Sequence, residues 1–187
     1  MRWPVFALLV YGLLALQIGL SDAASIDTAY GRLQPWTLLP LAVFVGMSTT
    51  PYIALAAWII CGLLLDMTTT WSTGLTLIGP NALGYLAGGY VLLQFRTMLI
   101  RRHPLALASM TLLCGIGVQL IVVAIMSFRG IYELQPDWTG SSQLLLRGLN
   151  LLYSAGLAFA LAPIFNGLSP LMGFQNAAKI GPRGMAR

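Results

Sequence analysis

Between Trp3 and Ile164 the chain keeps returning to apolar runs that are too long and too poor in charge to face water. Of its 187 residues 58% are hydrophobic and only 8% are charged, and the mean hydropathy is +0.82. A soluble domain carries about 25% charged residues, so most of this surface has to be covered by lipid. In lipid every backbone polar group must be satisfied internally, and apolar runs of this kind do so as helices. The fold class that follows is an all-α, polytopic integral membrane protein.

The pattern predicts helices over about residues 3–20, 34–48, 51–65, 74–100, 104–127 and 143–164. They form one membrane domain, 1–172, followed by a basic cytoplasmic tail, 173–187. The first run resembles a secretory leader, with Arg2 ahead of it, but it is long for one. A cut after Ala24 would put Asp22 where a small residue is wanted, so the segment is read as a retained helix. Residues 21–35 and 129–143 read as polar loops.

Residues 36–65 stay apolar throughout, broken by Gly46, Ser48, Thr49, Thr50 and Pro51. Length alone leaves open one long tilted helix or two short ones. Charge separates the two. With six helices and an inside amino end, Arg2, Arg96, Arg101, Arg102, Lys179, Arg183 and Arg187 fall on one side. Arg32, Arg129, Arg147 and all the acids fall on the other. This is the positive-inside distribution, and merging residues 36–65 into one helix abolishes it. Six helices with both termini cytoplasmic is therefore the expected topology, with Arg96, Arg101 and Arg102 as its cytoplasmic anchors.

Reactive groups are scarce. The single histidine, His103, sits beside Arg101 and Arg102, without the several ligands a metal site needs. Ser141 has no histidine on its side to activate it. Cys61 and Cys114 lie inside apolar runs and read as small core residues. No enzyme activity, cofactor, metal or nucleic-acid partner is expected. Asp66 abuts a long hydrophobic run directly. It is either a polar anchor to another helix or partner, or a water-exposed interfacial acid capping the turn at residues 68–70. Asn81, beside Pro80, is either an amide satisfied inside the bundle or a ligand-binding group. Gly84 and Gly88, and likewise Ser154, Ala158 and Ala162, are spaced as small faces on which helices approach closely. Spacing leaves open whether those faces close the bundle or dock a partner.

At Gly62-Leu63-Leu64-Leu65-Asp66, with Gly74 eight residues after the acid, the chain resembles the MreD family of bacterial rod shape-determining membrane proteins. The likeness continues through Ala82-Leu83-Gly84-Tyr85-Leu86-Ala87-Gly88 and the basic end at Arg96, Arg101 and Arg102. It covers about 40 residues sharply and the remainder in hydropathy only. The resemblance implies a non-enzymatic scaffold in the bacterial cytoplasmic (inner) membrane. Such a scaffold binds an MreC-like single-span protein and acts with an MreB-like filament and the peptidoglycan synthases in cell elongation. Gly62, Asp66 and Gly74 match the family motif, with Gly84 and Gly88 as further candidate interaction residues. Pro80-Asn81 inside the fourth helix and the long loop 129–143 depart from the family pattern. The MreD family is in turn similar in fold to the substrate-binding subunits of energy-coupling-factor vitamin transporters. The alternative expectation is therefore a small-molecule-binding subunit, whose polar cavity would draw chiefly on Asn81, Gln119 and Asn150.

Overall fold

The computed structural model of the chain describes residues 1–19, 25–28, 31–69, 78–96, 103–132 and 140–174. In chain order these form α1 (Trp3–Gly19), β1 (Ile26–Thr28), β2 (Gly31–Leu33), α2 (Leu38–Ser48), α3 (Pro51–Thr68), α4 (Pro80–Phe95), α5 (Pro104–Tyr132) and α6 (Gly140–Leu168). The described residues are thus all-helical apart from one antiparallel hairpin, in which Ile26 pairs with Leu33 and Thr28 with Gly31. That hairpin falls in a stretch read from sequence as loop. Among the described residues three helices are long and apolar enough to cross a membrane, and α1 and α2 are shorter apolar helices. Large apolar side chains such as Leu8, Tyr11, Leu83, Tyr90, Leu120 and Leu152 face outward. An exterior of this kind belongs to a membrane protein.

Residues 36–65 form two helices. Thr49 (φ −115°, ψ 174°) and Thr50 (φ −68°, ψ 154°) are extended, because a residue before proline is pushed out of the helical region. Pro51 then opens α3 at its first position, where its missing N–H is no loss. Pro80 and Pro104 begin α4 and α5 in the same way. α2 starts at Leu38 rather than near residue 34, and at 11 residues it is only about 16 Å long. Every residue from Leu38 to Met47 is buried, as expected of a helix that is apolar all round. α2 is the centre of the bundle, in contact with α1, α3, α4, α5 and α6.

Local contacts fix which helix ends lie together. Gln17, late in α1, accepts through Oε1 from the Thr37 backbone N–H (3.1 Å) and from Thr37 Oγ1 (2.9 Å) at the start of α2. At the other end the Arg2 N–H donates to the Met172 carbonyl beyond α6 (3.0 Å). There too Phe44 stacks on Phe165, with ring centres 5.3 Å apart. Arg96, just after α4, donates from Nη1 to the Thr49 carbonyl (2.9 Å) at the end of α2. A guanidinium at the negative end of the α2 dipole is favourable. Arg2 and Arg96 therefore share one end of the bundle, while Arg101 and Arg102 lie outside the described residues.

Trp58 fills the space between α2, α3 and α4. It is fully buried, and its ring centre is 5.7 Å from that of Tyr85. Gly88 and Gly89 make room for it: a Cβ on Gly88 would lie 2.8 Å from Trp58 Cζ3 and 2.7 Å from Val118 Cγ2. A Cβ on Gly84 would meet the Val118 carbonyl at 2.9 Å. The Gly84–Gly88 face is thus consumed by α5. Ser154, Ala158 and Ala162 are likewise buried within the bundle.

Replacing Gly88 by alanine should destabilise the protein by about 1–3 kcal/mol through overpacking. The same change at Gly117, which has nothing within 4 Å of the added Cβ, should be neutral or stabilise by up to ~1 kcal/mol. Thermal unfolding of the two variants in one detergent separates them. Equal melting temperatures would refute the tight α4–α5 contact.

Candidate functional site

Asp66 lies in the last turn of α3, which runs on to Thr68 rather than ending near residue 65. Its side chain is fully buried, so the water-exposed reading does not hold. The carboxylate is aimed at the beginning of α4. Oδ2 accepts from the backbone N–H of Gly79 (2.8 Å) and of Ala82 (3.1 Å). Oδ1 accepts from the backbone N–H (3.0 Å) and the Nδ2 (3.0 Å) of Asn81.

The first turn of a helix leaves its backbone donors without partners in the helix. Here Gly79 is the residue before α4 and offers no side chain to cap it. Pro80 has no N–H at all, and the Leu83 N–H already bonds to the Gly79 carbonyl (2.9 Å). The remaining donors, on Gly79, Asn81 and Ala82, all go to Asp66. One side chain from a neighbouring helix thus performs the whole capping of α4, and its charge meets the positive end of the α4 dipole. Gly79 adopts φ 135°, ψ −45°, a region essentially confined to glycine, and this turns its N–H toward α3.

Gly62, one turn before Asp66 on the same face of α3, lets α4 come close enough. A Cβ there would stand 2.7 Å from Ala82 Cα, 2.9 Å from the Asn81 carbonyl oxygen and 3.0 Å from Tyr85 Cβ. Two of these are backbone atoms that cannot swing aside. Gly62 and Asp66 are therefore parts of one device, a close helix crossing and the cap it permits. Gly74, the third residue of the sequence motif, lies outside the described residues. Pro80-Asn81 is not an interruption inside the fourth helix but its amino terminus, which begins at Pro80.

Beside this junction is a cavity of about 190 Å³. Asn81, Tyr85, Gln119, Arg147, Asn150 and Trp36 line it, together with Leu65 and Thr69 from the end of α3. The Asn81, Gln119 and Asn150 singled out from sequence thus meet in one place. Arg147 and Trp36 were not anticipated there. Arg147 had served only as a loop-side charge, and its position one turn before Asn150 on α6 was the available signal. Arg147 Nη1 donates to Gln119 Oε1 (2.8 Å) across α5 and α6. Asn150 Oδ1 accepts from the Gln34 N–H (2.9 Å), and Ser154 Oγ accepts from the Trp36 N–H (2.8 Å). α6 thereby grips the chain as it enters α2. At the opposite end of the bundle, His103 is exposed and its Nδ1 accepts from the Leu105 N–H (3.3 Å) as α5 begins.

The chain matches no protein-family model, and no curated protein or solved structure matches it.

Substituting Asp66 by leucine should leave the buried Asn81 N–H without an acceptor, at about 1–3 kcal/mol, with smaller losses at the part-buried N–H groups of Gly79 and Ala82. Asp66→Asn keeps one acceptor oxygen and loses the charge–dipole attraction, worth roughly 0.3–2 kcal/mol. Gly62→Ala should cost about 1–3 kcal/mol by forcing α3 and α4 apart. The expected order of melting temperatures is wild type, then Asp66→Asn, then Asp66→Leu. An Asp66→Leu protein that melts with the wild type would sink the capping assignment.

Proposed function

We propose that this chain is a non-enzymatic scaffold of the MreD kind. In this reading its six helices cross the bacterial cytoplasmic membrane with both termini inside. It holds an MreC-like single-span protein and through it acts with an MreB-like filament and the peptidoglycan synthases in cell elongation. The observation that carries the reading is the Gly62–Asp66 junction. Gly62 and Asp66, two of the residues matching the motif, are spent on joining two helices, as suits a rigid docking body, and the carboxylate is held by four N–H donors. The apolar exterior and the gathering of Arg2 and Arg96 at one end of the bundle support the membrane placement.

Co-expression with a single-span MreC-like protein and purification in mild detergent should recover the two together. No association would count against the scaffold. Because Asp66 faces α4, Asp66→Leu should lower the recovered partner only as far as it lowers folded protein. A selective loss of partner from folded protein would instead make the acid a direct contact. Cysteines engineered near the two termini should both be shielded from a membrane-impermeant reagent outside the cell. Cys61 and Cys114 are buried and will give little background. Labelling of one terminus alone would rule out the even number of crossings.

A small-molecule-binding subunit remains the second reading, favoured by the meeting of Asn81, Gln119 and Asn150 in one cavity. Its size argues against a vitamin. Sites for drug-sized ligands are typically about 300–1,000 Å³, well above the 190 Å³ available.

A further inference from the structure

At the other end of the bundle from the polar cavity, α5 and α6 leave an open groove of about 790 Å³ between them. Its lining is apolar and its floor is made of small residues. Ala106 and Ala155 are buried, and a Cβ on Gly156 would meet nothing within 4 Å. Leu105, Leu113 and Phe159 line it while remaining exposed. Ser109 adds a hydroxyl, but its Oγ donates to the Ala106 carbonyl of its own helix (3.2 Å). The polar side chain left at the groove is His103, at its mouth. The Nδ1 of that ring accepts from the Leu105 N–H (3.3 Å), so in the neutral ring Nε2 carries the proton and is a free donor.

Length and charge decide what fits. The apolar span of α5 begins at Pro104, which puts His103 at the level of the membrane surface. From Leu105 to Leu113 the groove follows α5 for about eight residues, or about 12 Å. That is close to the depth of one leaflet, half of a hydrocarbon core of roughly 30 Å. Further along, Ile116 and Leu120 of α5 and Leu152 of α6 stand exposed outside the groove. A helix crossing the bilayer would need a seat over the whole thickness, whereas an acyl chain needs one leaflet. The chain that arrives at the mouth is basic: Arg101 and Arg102 directly precede His103, and no acid stands in the sequence between Asp66 and Glu133. The positive end of the α5 dipole lies there too. Basic sites between helices at the cytoplasmic surface are where anionic lipid heads bind.

We infer that this groove holds an anionic phospholipid, with one acyl chain lying between α5 and α6 and the phosphate at the basic mouth beside His103. The lipid site goes beyond the scaffold role and does not require it. It is tested on the chain alone, so its failure leaves the partner-binding test untouched, and the reverse is also true.

In nanodiscs of phosphatidylcholine the full chain should gain thermal stability saturably as phosphatidylglycerol replaces part of the lipid, as mass action requires of a ligand bound only by the folded state. Gly156→Leu fills the groove from α6 and Ser109→Leu from α5. Each should raise the half-saturating fraction of phosphatidylglycerol about tenfold, the equivalent of about two methylenes of lost burial, while still melting cooperatively in phosphatidylcholine alone. Gly117→Leu, the same change at an open position outside the groove, should respond to the lipid as wild type does. His103→Ala should weaken the response, and a wild-type response from it would remove the headgroup from the site and overturn the inference. A shift of equal size in wild type and both groove variants is a general surface-charge effect and overturns it as well, as does no shift at all. If Gly156→Leu keeps the lipid response but loses a co-expressed single-span partner, the groove is a protein interface and the lipid assignment falls.

Discussion

A lone carboxylate inside a helical bundle is costly to strip of water, by several kcal/mol even after relaxation. No cation pairs with Asp66 among the described residues. The cost is offset by four N–H donors and by the dipole of the helix they begin. The dependence is mutual. Without the acid, α4 would start on a glycine and a proline with three backbone donors unmet, one of them buried and two part-buried. Without the helix terminus, the acid would have no reason to be inside. The arrangement of α3, α4 and everything packed on them follows from that reciprocal need.

The cap alone would not hold a helix in register along its length, and α4 is fixed at two further levels. In its middle, Gly84, Gly88 and Gly89 let Val118 on one side and Trp58 on the other come within contact of its backbone. At its far end Arg96 reaches the Thr49 carbonyl, where α2 stops. An acid at the amino end of α4 and a base at the carboxyl end of α2 each sit at the dipole end that suits them. The direction of α4 is thus set by charge, and its closeness to its neighbours by the absence of side chains. Association of helices in lipid lacks a hydrophobic drive and rests on just these two terms, close backbone packing and polar bonds.

Much of this was legible in the sequence, and the reasons differ from element to element. The all-helical membrane class followed from charge poverty, and the division of residues 36–65 into two helices from the positive-inside distribution of arginine and lysine; the structure puts the break at Thr49-Thr50-Pro51. Gly62, Gly84 and Gly88 could be marked as close-approach positions by spacing, but spacing could not tell which helix comes near. That depends on which faces meet across the bundle. For Asp66 the sequence offered an anchor to another helix, which is what the structure shows, but not the chemistry of the contact. Its partner is not a side chain of opposite charge but a set of backbone N–H groups, which no residue letter records. The signal was indirect: Gly79-Pro80 begins a helix with nothing at the capping position, and the nearest preceding acid is thirteen residues back. The hairpin at residues 26–33 left no comparable trace, because two three-residue strands are too short for an alternating pattern to register.

Most of the buried polar side chains of the described chain collect at the end of the bundle where α3 stops and α4 starts, and the cavity lies among them. Asn150 and Ser154 are committed to the Gln34 and Trp36 N–H groups as the chain enters α2. Asn81 is committed to Asp66 on one side and opens on the cavity with the other. An amide satisfied at one end cannot withdraw its other end into apolar packing without leaving a bond behind, so the space between these helices stays polar and is not filled by leucine. Asn81 therefore belongs at once to the brace that orients α4 and to the wall of the cavity. A substitution there would disturb helix packing and cavity chemistry together. Tyr85 and Gln119 line the same space, and neither bonds to Asp66.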